Sequence, residues 1–452
     1  MPEPFSLGVA GAAQQIRDKG LSPVSLAQSL LDRIDALDPA LNAWVTIDRE
    51  EVLTTARELE EELTKKGPRG PIHGVPVGLK DIFYTEGMLT AAGSRIYADF
   101  VPKFDATTVT KIKEAGGIIL GKAVTTEFAM ADPSPTLNPW NKAHTPGGSS
   151  SGSSVAVATR MCAAALGSQT GGSTCRPAAY NGIVGFKATY GRISRYGVVP
   201  VSWSLDTVGI LVRSVEDAAV MLQVMAGYDR KDPGSADVTV PNYLQELGKL
   251  GRPPRIGLVR EFYSERSSAE VWSHTEDVAQ RLAQAGAEII ELGLPESFAT
   301  AHDCQRIVSN VECAAFHEQW YRERADDYGP KMRASIEMGM LIPGIRYVQA
   351  QRLRRQFRRD MVNMVKQVDA VMTPAAPSPA PHGLESTGDP VFQQPWTSSG
   401  LPSITVPSGL NDAGLPLAVQ FGGLPFEESA LLAAASWCES ALGVELSPPD
   451  FS

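Results

Sequence analysis

The chain is short of the features that mark several simple classes of protein. Only five cysteines occur in 452 residues, Cys162, Cys175, Cys304, Cys313 and Cys438, and no two form a C-x-x-C pair. Scattered thiols in odd number argue against a disulfide framework and for a reducing compartment. Basic charge is also scarce: 41 Lys and Arg stand against 51 Asp and Glu, a formal net charge of -10. Phosphate recognition draws on clustered cations, so this balance argues against nucleic acid as a partner. No apolar run approaches the roughly 18 residues of a membrane span. Met1 to Gly20 holds no basic segment followed by an apolar one, so no signal peptide is expected. The six histidines and the isolated cysteines make no metal-ligand spacing, and no G-x-G-x-x-G follows a strand. The expectation is a cytoplasmic protein with no membrane contact, no metal and no cofactor.

What the chain does have is 43% hydrophobic residues, 41 Gly and 33 Pro, enough apolar material for a large core. Helical and extended patterns alternate along it. Ser22-Pro23 opens a helix carrying Leu26, Leu30, Ile34 and Leu37, with Asp38-Pro39 as its expected stop. A strand over 43–47, a charged helix over 49–66 and a short apolar run from Val75 to Leu79, ending at Lys80-Asp81, follow. Further strands are predicted at 118–120, 255–259, 289–292, 369–373, 403–406 and 417–421. Helices are predicted at 107–115, 214–226, 269–285, 297–322, 346–366 and 427–442. This alternation predicts an α/β fold with a parallel or mixed sheet. Residues 145–192 are dense in Gly, Ser, Thr and Ala, but Val155, Val157, Met161, Leu166, Ile183, Val184 and Phe186 punctuate them. That pattern predicts closely packed backbone and not a flexible linker.

Two short motifs in the chain are misleading. Gly116 to Lys122 fits G-x-x-x-x-G-K, but Ala123 stands where a hydroxyl is needed, and Ile118-Ile119-Leu120 reads as a strand. Gly148 to Gly152 fits G-x-S-x-G, the elbow of an α/β-hydrolase-type esterase. That elbow needs a strand directly before it, whereas Pro139 and Pro146 lie there.

A more coherent set joins Gly147-Gly148-Ser149-Ser150, Gly171-Gly172-Ser173 and Lys80 at the end of an apolar run. A lysine withdrawn from water loses solvation of its charged form, which frees a neutral amine to act as a base. A hydroxyl beside it becomes a nucleophile, and glycines let consecutive N–H groups gather an oxyanion. On residue types alone, the glycines serve equally well as turns and Lys80 as a solvated surface residue.

In combination these blocks resemble the amidase signature family of serine hydrolases. Gly147 to Phe186 carries its two Gly-Ser blocks, Gly74 to Asp81 its lysine block, and Pro402 to Gly409 and Gly414 to Gly423 its late strands. The likeness covers about residues 6–442. It implies one large domain, 1–452, with a central mixed sheet surrounded by helices. Within it, a helical segment over 1–66 packs on a core at about 70–210, and 211–452 completes the sheet and substrate pocket. It also implies a Ser–cis-Ser–Lys triad. Carried onto this chain, Ser173 is the nucleophile, Ser149 the proton relay and Lys80 the base. Thr170, Gly171, Gly172 and Ser173 supply the oxyanion hole, and Ser150 hydrogen-bonds the lysine. Three departures stand out: Gln169 replaces a usual carboxylate, Arg176 lies three residues after Ser173 where the family has Arg two after, and Ser151 replaces a common Gly.

The resemblance implies hydrolysis of small-molecule amides or carbamates, including urethane, aryl acylamide or biuret-type compounds. Tyr328, Met332, Ile336 and Trp396 are expected to line an apolar pocket, and a homodimer is expected. Two alternatives accompany this reading. One is the glutaminase (A) subunit of a tRNA-dependent amidotransferase, which works with partner subunits. The other is an α/β-hydrolase-type esterase or a catalytically silent binding subunit.

Overall fold

The computed structural model describes residues 3–449. Residues 1–2 and 450–452, the ends of the expected 1–452 domain, lie outside the described residues. A single mixed sheet of eleven strands organises the molecule, with helices covering it. In chain order the strands are β1 (Trp44–Thr46), β2 (Pro76–Lys80), β3 (Ile118–Ala123), β4 (Ala164–Gln169), β5 (Val184–Lys187) and β6 (Thr207–Val212). They continue as β7 (Arg255–Val259), β8 (Glu288–Leu292), β9 (Ala370–Pro374), β10 (Ser403–Leu410) and β11 (Pro416–Gly422). Across the sheet the order is β1-β3-β2-β4-β6-β5-β10-β11-β9-β7-β8.

Two parallel groups, β3-β2-β4 and β9-β7-β8, flank a stretch of antiparallel pairs. Strands β2, β4, β6 and β9 are buried at every position, as expected where helices cover both faces of a sheet. Because β2 and β4 run side by side in parallel, with Leu79 opposite Leu166, their carboxyl ends emerge together. That junction places Lys80 beside Ser168.

The sequence-predicted elements recur with shifted ends. The charged helix spans Arg49–Lys66, capped by the Asp48 carboxylate on Glu51 N–H and closed by Gly67 at a positive φ. The helix from Pro23 does not stop at Asp38-Pro39. It runs to Leu41, and Asn42 ends it in the left-handed conformation. There the Asp38 carboxylate accepts the N–H groups of Ala43 and Trp44, so it serves the chain leaving the helix. Residues 145–192 are almost wholly buried. Helix Ser151–Ala158 presses so closely on the sheet that a Cβ at Gly152 would collide with the Ala43 carbonyl and the Val124 amide. The small residues of this stretch therefore serve backbone packing. Among the described residues, no helix is long and apolar enough to cross a membrane.

Candidate active site

Lys80 is completely buried at the end of β2. Its Nζ donates to Ser149 Oγ at 2.7 Å and to Ser168 Oγ at 2.8 Å. Burial holds this amine well below the ordinary lysine range, against an opposing pull from the Asp206 carboxylate. The lysine thus stands among hydroxyls in a site that favours its neutral form.

Ser149 follows a cis peptide bond at Gly148–Ser149. Its carbonyl accepts Thr126 N–H at 3.2 Å. Arg176, four per cent exposed, donates through Nη2 to the Gly148 carbonyl at 2.7 Å and to Thr387 Oγ1 at 3.0 Å. The displaced arginine therefore braces the turn that carries Ser149. Ser150 departs from its expected part: its hydroxyl meets the backbone of Ser168, donating to the carbonyl at 3.4 Å and accepting the N–H at 3.3 Å. The second hydroxyl on Lys80 belongs to Ser168, which the sequence reading passed over. Its signal was a serine directly after the apolar run Ala-Ala-Leu-Gly, in a strand that pairs with the lysine strand.

Ser173 lies half-buried between β4 and helix Cys175–Asn181, and its carbonyl accepts Ser150 N–H at 3.3 Å. Gln169 ties this loop on both sides. Its Oε1 accepts the N–H groups of Thr174 and Cys175 at 3.1 and 3.0 Å, and its Nε2 donates to Thr397 Oγ1 at 3.1 Å. Thr397 in turn donates to the Gly171 carbonyl at 3.2 Å. Thr170 donates through Oγ1 to Asp206 at 2.6 Å, and its carbonyl accepts Gln305 Nε2 at 3.0 Å. Gly171, Gly172 and Ser173 N–H groups carry no protein acceptor among the described residues. The loop is thus held from outside while its own donors stay open.

A cavity of about 270 Å³ reaches Ser168 and Thr170, with Asp206, Thr207 and Val199 in its wall and Tyr196 and Trp203 also lining it. A second, of about 500 Å³, lies beside Asp81 and Glu127, with Arg95, Asp132 and Tyr328 also lining it. Of the residues expected to line an apolar pocket, Met332, Ile336 and Trp396 border neither cavity. Met332 and Ile336 are completely buried on helix Pro330–Leu341, inside the main hydrophobic core. Trp396 packs within another core cluster, where a Cβ at Gly422 would strike its ring. These three are packing residues; the apolar pattern that suggested a pocket is the pattern of a core. Tyr328 does line the second cavity, beside carboxylates, and its hydroxyl meets His317 Nδ1 at 3.1 Å.

A profile of the amidase family matches residues 25–432. The chain belongs to the amidase family. It is an enzyme of the type that hydrolyses carbon–nitrogen bonds. Among solved structures it resembles the peptide amidase of Stenotrophomonas maltophilia, 29% identical over 99% of both chains with a TM-score of 0.85. It also resembles a 6-aminohexanoate cyclic dimer hydrolase, 23% identical over 98% of this chain and 99% of that one with a TM-score of 0.88, a likeness of fold alone.

Curated relatives point elsewhere. The A subunit of glutamyl-tRNA(Gln) amidotransferase from Geobacter sp. (strain M21) is 38% identical, covering 96% of each chain. Its counterpart from Carboxydothermus hydrogenoformans is 37% identical, again covering 96% of each. These relatives overturn the reading as a hydrolase of small-molecule amides or carbamates. They overturn with it the expected partners, a small-molecule substrate and no nucleic acid. The physical reason is that net charge is a sum over the chain. It does not describe what an enzyme meets when other subunits supply part of the surface.

Proposed function

We propose that the chain is the glutaminase (A) subunit of a tRNA-dependent amidotransferase, releasing ammonia from the side-chain amide of glutamine. The amidotransferase relatives, similar along nearly the full length, support the assignment. The observation that carries the chemistry is the buried Lys80 amine donating to Ser149.

In this reading neutral Lys80 accepts the Ser149 hydroxyl proton as Ser149 accepts that of Ser173. The Ser173 oxygen then attacks the amide carbon. The open N–H groups of Gly171, Gly172 and Ser173, together with that of Thr170, hold the oxyanion. The relay runs backward to protonate the departing nitrogen, because an amide anion is too basic to leave. Ammonia departs, water repeats the attack on the ester formed with Ser173, and glutamate is freed. Ser168 positions the lysine, Ser150 holds the Ser168 backbone, Gln169 positions the oxyanion loop and Arg176 the Ser149 turn.

The test is glutamine hydrolysis by the purified chain, alone and with its partner subunits on glutamylated tRNA. We expect ammonia release that stops in Ser173→Ala. A chain that hydrolyses other amides through Ser173 while leaving glutamine untouched in both settings would refute the assignment.

A further inference from the structure

The apolar residues of helices Pro330–Leu341 and Gly344–Val365 divide sharply. Those facing inward are buried, but the turn between the helices leaves Leu341 82% exposed, Ile345 66% and Val348 57%. Met338 and Met340 are also exposed at the end of the first helix, about 200° apart around it. Large aliphatic side chains left exposed together at one turn mark a contact site on a protein surface. At 100° per residue, Ile345, Val348, Arg352, Arg355 and Arg359 fall within about 80° of one another, so one stripe of the second helix starts apolar and becomes cationic. Arg352 and Arg355 have no carboxylate partner among the described residues, whereas Arg306, Arg322, Arg324 and Arg333 nearby are all paired.

We propose that this stripe docks a helical segment of a partner protein whose apolar side chains cover the turn and whose carboxylates follow one to two turns on. The inference rests on the proposed assembly with partner subunits and names the surface used. Unpaired guanidinium groups suit carboxylates, which they grip in bidentate fashion. The aliphatic turn, which offers a phosphate backbone nothing, favours a protein segment over RNA. The surface lies apart from the catalytic machinery, so its variants should leave amide hydrolysis alone.

The probe is a fluorescein-labelled helical peptide with leucines over two turns and glutamates over the next two, titrated against the whole chain by anisotropy. We expect saturable binding, weakened at least tenfold by Leu341→Asp with Ile345→Asp and by Arg352→Glu with Arg355→Glu. A peptide with lysines in place of glutamates should restore binding to the Arg→Glu variant. Binding no tighter than that of a scrambled peptide overturns the proposal. So does a tRNA transcript held through the same arginines, which makes the surface an RNA site, or a chain dimer lost in Leu341→Asp, which makes the occupant a second copy. Glutamine hydrolysis measured on the same samples separates the two readings. Peptide binding by a chain that leaves glutamine untouched both alone and with its partner subunits sinks only the glutaminase assignment, and activity without peptide binding sinks only the docking surface.

Discussion

The centre around Lys80 and the hairpin around Leu341 invert the usual placement of residues. At the centre, a lysine, three serines and a glutamine are inside, each held by named hydrogen bonds. At the hairpin, leucine, isoleucine and valine are outside with nothing over them. Both arrangements cost stability: burial of a polar group is tolerable only when it is bonded, and exposed apolar surface forgoes about 25 cal/mol per Å². A cost that packing alone does not require marks where a molecule meets something else. At the centre this is a reacting amide, and at the hairpin another protein surface.

The sharpest way to break that contrast is at the centre. Ser173→Ala should reduce glutamine hydrolysis on the order of 10⁴-fold or more, read as ammonia release. Lys80→Met should cost on the order of 10³-fold, as loss of a positioned base does. The wild-type rate should climb as pH rises through the depressed lysine pKa and then level off well before the ordinary lysine range. A limb that instead follows free lysine would show that burial does not tune the base. Gln169→Ala should lower kcat by about 10- to 100-fold with little change in KM, because it loosens the donors and not the ground-state contacts. Gln169→Glu, which keeps the acceptor for Thr174 and Cys175, should recover part of that loss.

A smaller effect comes from Lys187, buried and donating to the carbonyls of Ala188 and Leu401, with its pKa pushed down to about 7. Above the ordinary lysine range both folded and unfolded chains hold it neutral, so it costs nothing there. As pH falls the unfolded chain takes up the proton first, and the cost is complete below about 7. Lys187→Met should therefore flatten the fall in Tm between pH 9 and pH 6.5 in calorimetry. Smallest of all, Leu341→Asp should shift stability by no more than about 0.5 kcal/mol in urea titration, because the side chain packs on nothing.

Legibility in the sequence followed the same division. Helix Arg49–Lys66 was readable because Asp48 and Gly67 cap it with local chemistry. The helix over 330–341 was not, because Met338, Met340 and Leu341 face water and blur the period. The Gly-Ser blocks and Lys80 were readable as a family resemblance. Ser168, Thr397 and Asp206 were not, because their parts depend on β2 meeting β4, on β6 meeting β4 and on a helix from late in the chain reaching the loop. Likewise Met332, Ile336 and Trp396 carry the side chains of a pocket wall, and only the packing shows that they fill a core.

The bridge from Gln169 to Thr397 joins residues 228 positions apart in the chain. Synthesis runs from the amino end, so a ribosome has made Lys80, Ser149 and Ser173 long before the threonine that steadies their loop exists. A product cut between residues 173 and 397 would hold Lys80, Ser149 and Ser173 and still lack the hydroxyl that joins Gln169 to the Gly171 carbonyl.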